Sequence, residues 1–117
     1  MALKIYGYSG CSTVKRAVNW AAEKGIDVDY SHFTKVDDLE AELKTWASGA
    51  GIERLLNQNA QAFKKLDEGE QEKLLNSDAA AIQAMANEVR LIKRPVGTDG
   101  STVLTGFNKD EWEAKFG

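Results

Sequence analysis

The chain has 117 residues, 43% hydrophobic and 28% charged, the proportions of an ordinary folded domain long enough to bury one core without staples. With 15 Lys and Arg against 18 Asp and Glu the net charge is −3, which argues against direct nucleic-acid binding, and no apolar run is long enough to span a bilayer. A single cysteine excludes an intrachain disulfide, and one Cys with one His is too few for a zinc site. The N-terminus lacks the long apolar stretch of a signal peptide, so a cytoplasmic monomer with a free thiol, no metal and no membrane contact is expected.

Residues 3–8, LKIYGY, put Leu3 and Ile5 on one face and Lys4, Tyr6 and Tyr8 on the other, the period of a strand. SGCS breaks the pattern. From Thr13 the spacing becomes helical, through Val14, Ala17, Val18, Ala21 and Ala22, and the helix stops with Lys24 in its last turn and Gly25 at the left-handed cap. IDVDYSHF alternates again, with Ile26, Val28 and Tyr30 on one side, so the opening reads strand–helix–strand with parallel strands. Val36, Leu39, Leu43 and Trp46 then mark a helix with acids in its first turn. GIERLLNQN, EQEKLLN and SDAAAIQAMANEV are short helices, the last capped at Ser77, and residues 34 to 88 carry no strand signal.

The stretch VRLIKRPVGTDGSTVLTGF reads as strand-like, with TDGS as a hairpin turn. Asn108 with Glu111 three residues on opens a last helix. The order β-α-β, helices, β-β-α is that of an α/β, thioredoxin-like fold. It makes one domain over 1–117, with a helical insertion at about 34–88 between the two halves.

Cys11 lies where the strand has ended and the helix has begun. Free N–H groups at a helix N-terminus favour a thiolate, so a lowered thiol pKa is expected. Gly10 lets the backbone approach an anion, and Ser12 and Thr13 offer hydroxyls. Lys15 and Arg16 add positive potential a turn further on, as anion ligands or as a solvated helix face. Against this stands the plainer alternative that a lone cysteine is a small buried side chain. Asn57 reads as an anion-site residue or as a helix-ending asparagine. His32 reads as structural, and Trp20, Trp46 and Trp112 as helix packing.

Three segments carry a resemblance. IYGYSGCSTVKRAVNW, RLLNQNAQAFKKLD and LIKRPV with VLTGF ten residues on resemble, in order, the arsenate reductase (ArsC)/Spx family, and its YffB-like branch in particular. The resemblance implies a thioredoxin-like fold with a helical insertion, Cys11 as the reactive cysteine, Arg94 facing it, and Pro95 in a cis peptide bond. It implies a thiol oxidoreductase that binds no cofactor and uses glutathione or glutaredoxin as external reductant, acting on a small oxyanion or thiol substrate. Two arginines that complete the oxyanion site of arsenate reductases fall at Asn57 and Gly106. The second cysteine of the Spx disulfide switch falls at Val14. A protein of this kind that binds an RNA polymerase subunit without catalysis is the alternative implied by the same resemblance.

Overall fold

The computed structural model describes residues 2–8 and 10–117; Ser9, within the expected SGCS break, and Met1 lie outside the described residues. The chain forms two compact units, one made of the residues up to Asp37 together with Arg94–Gly117, the other of Asp38–Lys93.

The first unit holds the sheet. Strand β1 (Leu3–Gly7) leads through helix α1 (Ser12–Glu23) to β2 (Val28–His32), and the chain returns as β3 (Val96–Thr98), β4 (Val103–Thr105) and α7 (Lys109–Phe116). The strand order is β2-β1-β3-β4. β1 and β2 are parallel, with Ile5 beside Tyr30, whereas β1–β3 and β3–β4 are antiparallel, with Ile5 beside Gly97 and Gly97 beside Leu104. This is the thioredoxin-like α/β fold, with its helical insertion between the two halves.

The alternation of β1 sends Leu3 and Ile5 to the face where α1 turns in Ala17, Trp20 and Ala21; Leu104 and Trp112 close the same core. Trp20 and Trp112 meet edge-to-face, with centroids 6.0 Å apart. The Trp20 indole N–H donates to Glu113 at 2.8 Å, and Lys24 pairs with the other Glu113 oxygen at 2.9 Å. Lys24 sits at the C-cap of α1, and Gly25 beyond it adopts φ 73°, which suits glycine. Gly97 is a glycine because Trp112 lies over it: a Cβ there would run into the indole ring.

The hairpin turn forms as its sequence suggests. Asp99 Oδ1 accepts from the backbone N–H groups of Ser101 and Thr102, at 2.9 and 2.8 Å, and Gly100 takes φ 98°. Asn108 caps α7 by accepting from the Glu111 N–H at 3.0 Å.

The second unit is helical: α2 (Leu39–Ala50), α3 (Ile52–Leu55), α4 (Gln61–Lys64), α5 (Glu68–Asn76) and α6 (Asp78–Asn87). Side-chain oxygens of Asp38, Asp67 and Ser77 cap α2, α5 and α6. The four-residue α4 has no counterpart in the sequence reading. It is tied to α5 by Gln71, whose amide donates to the carbonyls of Phe63 and Leu66.

The expectation of a strand-like VRLI is corrected. Val89–Leu91 is a 3-10 turn, and only Ile92 pairs, in an isolated antiparallel bridge with Leu56. Glu88 closes the turn by accepting from the Arg90 N–H and side chain, which holds its carboxyl down to about 2. Among the described residues no helix is long and apolar enough to cross a membrane.

Candidate active site

The site lies in the first unit, past the end of β1. Gly10 turns the chain at φ 79°, and Cys11 is the N-cap of α1 in an extended conformation. The sulfur faces the backbone N–H groups of Val14 and Thr13 without closing a formal capping bond. The cation comes from the returning chain: Arg94 Nε donates to Cys11 Sγ at 3.2 Å, across 83 positions of sequence. The Arg94–Pro95 peptide bond is cis.

Burial pushes the Cys11 thiol up, but it is outweighed. The Val14 N–H, the Arg94 hydrogen bond, the Thr13 N–H and the Arg94 charge together bring the thiol below its ordinary value. The buried-packing alternative therefore does not describe Cys11: it is half-buried and partnered by a cation. The guanidinium carbon of Arg94 lies 4.5 Å from the centroid of the Tyr8 ring, a cation–π contact that helps hold the cation beside the thiol.

Tyr30, on the edge strand β2, is close enough to feel the thiolate. Burial first, and the negative charge of Cys11 second, push its phenol above the usual value. Tyr8, Gly10, Cys11, Val14, Val18 and Tyr30, with Lys15 and Asn19, line a cavity of 390 Å³. Among the described residues no three of His, Cys, Asp and Glu converge as metal ligands would.

Of the residues singled out from sequence, Thr13 and Arg94 meet the Cys11 sulfur, Gly10 lines the cavity beside it, and Pro95 follows Arg94 through the cis bond. Ser12 is exposed as the first residue of α1. Lys15 is exposed at the cavity. Arg16 lies 6.0 Å from the Phe107 ring centroid. Asn57 belongs to the second unit, where its N–H donates to Leu91 and its side chain accepts from the Asn59 N–H; that is a turn role just past α3. Gly106 is a backbone device, with φ 72°, its N–H donating to Pro95 and its carbonyl accepting from the Trp112 indole. His32 accepts from Thr34 in a local turn.

Sequence reasoning assigned no site role to Tyr8 or Tyr30. For Tyr8 the available signal was its position just past the carboxyl end of a strand, where open α/β sheets gather ligands; Tyr30, midway along β2, carried none.

A thioredoxin-like sheet that presents one cation-paired cysteine at the mouth of its first helix defines a class of thiol chemistry. The chain belongs to the ArsC family, whose sequence profile matches residues 6–115, and its kin are arsenate-reductase-like thiol oxidoreductases. It is 31% identical over 116 residues to YusI of Bacillus subtilis (strain 168), covering 97% of each chain. A solved structure of the protein YffB superposes with a TM-score of 0.88 at 30% identity, over 99% of this chain and 100% of that one. An arsenate reductase (ArsC) related protein from Brucella melitensis gives 0.78 at 29% identity, over 99% and 95%. The YffB-like resemblance read from the sequence is borne out.

Proposed function

We propose that the protein catalyses thiol–disulfide exchange, with Cys11 as nucleophile, Arg94 as its anion partner, and glutathione or a glutaredoxin as external reductant. The observation that carries this reading is the 3.2 Å contact from Arg94 Nε to Cys11 Sγ. The Cys11 thiolate attacks one sulfur of a disulfide and keeps that half as a mixed disulfide. The other half leaves as a thiolate and takes a proton from water. An external thiolate then attacks the retained half at its sulfur and returns Cys11 to the thiolate form. The exchange carries the disulfide bond to the reductant, and a second external thiol completes the reduction. Cys11 is the chain's only cysteine, so the resolving thiol comes from outside.

Arsenate is the poorer substrate. A tetrahedral dianion calls for several fixed charges. The positions matching the family's two further arginines hold a turn-forming Asn57 and the left-handed Gly106.

The test is intact-mass spectrometry after exposure to glutathione disulfide, beside Cys11→Ser. Rapid addition of one glutathionyl group to the native chain alone is expected; an inert Cys11 would end the proposal. A second reading, an Spx-like contact with an RNA polymerase subunit without catalysis, rests on what the chain lacks for catalysis: a resolving cysteine, with Val14 at that position, and the two further arginines, with Asn57 and Gly106 at theirs. It expects tight subunit binding and no exchange, the reverse of the first outcome.

A further inference from the structure

The cavity beside Cys11 is built for carbon rather than for an oxyanion. At 390 Å³ it falls within the range of small-molecule sites, about 300–1,000 Å³. Its walls are the tyrosine rings of Tyr8 and Tyr30 and the valines Val14 and Val18, which stand one helical turn apart on α1. Lys15 and Asn19 repeat that spacing on the adjacent stripe and form a polar rim. Tyr30 is 42% exposed, one of the few large hydrophobic side chains of the described residues left so open, and it lines the cavity. Arg94 does not line the cavity; it reaches the sulfur from over the Tyr8 ring that forms one of the walls.

We infer that this cavity receives the apolar half of the disulfide: an aromatic or branched alkyl group on the sulfur that Cys11 attacks, with the polar half on the Arg94 side. This deepens the exchange reading and rests on it. The Cys11–S bond forms to the sulfur carrying the apolar group, the substrate S–S bond breaks, and the polar thiolate departs and takes a proton from water. Glutathione, as thiolate, then attacks the apolar group's sulfur, which leaves as its glutathione mixed disulfide and frees the Cys11 thiolate. The apolar group gains contact with ring and methyl surface that a small polar group would leave in water, so the cavity selects by burial.

The experiment compares two mixed disulfides of glutathione, one with benzyl mercaptan and one with 2-mercaptoethanol, followed by intact mass. Each rate is normalised to the same disulfide reacting with free cysteine. Cys11 is expected to take up the benzylthio group about tenfold faster than the hydroxyethylthio group. Tyr30→Ala, at an exposed position, is expected to cut that preference about threefold or more. Equal normalised rates would overturn the cavity assignment while leaving the exchange reading intact. Reaction with neither disulfide would end the exchange reading. The cavity is then decided without chemistry, by NMR shift titration of the Cys11→Ser protein with S-benzylglutathione and S-methylglutathione. Shifts at Tyr8, Val14, Val18 and Tyr30 with the benzyl compound alone uphold the site; no shifts there, or equal shifts with both, remove it.

Discussion

Arg94 reaches the sulfur through Nε and sets its guanidinium carbon over the Tyr8 ring, so one cation serves both contacts. A lysine would supply a point charge without the fixed fork of donors. Arg94→Ala is expected to raise the Cys11 thiol toward its ordinary value and to slow exchange at neutral pH on the order of tenfold. Arg94→Lys is expected to recover part of the pKa effect and less of the rate. Iodoacetamide alkylation against pH reads the first quantity and mass-spectrometric glutathionylation the second. An unchanged alkylation profile in Arg94→Ala would leave the guanidinium without its assigned part.

The same depressed thiol carries a stability consequence. Folding favours the thiolate, so its contribution is fully present above the unfolded thiol's pKa, about 8.5, and is lost as pH falls through the lower folded value. The stability gap between the native chain and Cys11→Ser should therefore widen in favour of the native chain as pH rises across that window. Urea denaturation at several pH values measures it. A gap independent of pH would mean that the fold does not hold the charge.

Among the elements, packing decides where the sequence pattern is ambiguous. Gly97 sits mid-strand, a poor place for glycine by propensity, and the Trp112 ring over it is the reason. Gly97→Ala is expected to destabilise by about 1–3 kcal/mol through overpacking, read as a lower urea midpoint at unchanged slope. Ser77→Ala, which removes the α6 cap, is expected to cost about 1 kcal/mol.

Those caps, the TDGS turn and the β-α-β opening were legible because each is signalled by neighbouring residues. VRLI was misread because three apolar residues around one arginine fit a short strand and a 3-10 turn equally; the Glu88 side chain decides between them. The four-residue α4 is too short for any period to register. At the site, Gly10-Cys11 before a helix was legible locally, whereas the Arg94 pairing came only through family resemblance. Tyr30 joins the site through the parallel pairing of β2 with β1, which no local pattern encodes, and Tyr8 follows directly on the end of β1.

At the scale of the molecule, the site depends on the chain's return. Cys11 belongs to the opening β-α-β and Arg94 to the segment entering β3, and the two are neighbours only because β3 pairs with β1. A half-buried thiol ordinarily becomes more reactive when a protein unfolds, because access improves. Here unfolding also removes the two backbone N–H groups and the guanidinium that favour the thiolate. At neutral pH an ordinary free cysteine is only a few per cent thiolate, and the thiolate is the nucleophile. The alkylation rate of Cys11 at pH ~7 is therefore expected to fall through the urea transition, with the midpoint reported by tryptophan fluorescence, as Trp20 and Trp112 leave the core that joins α1 to α7. The two curves should coincide, since one cooperative event separates Arg94 from the sulfur and opens the tryptophan pair. A rate that climbs on unfolding would mean that access, not charge, limits this thiol, and that its reactivity is a property of the residue rather than of the fold.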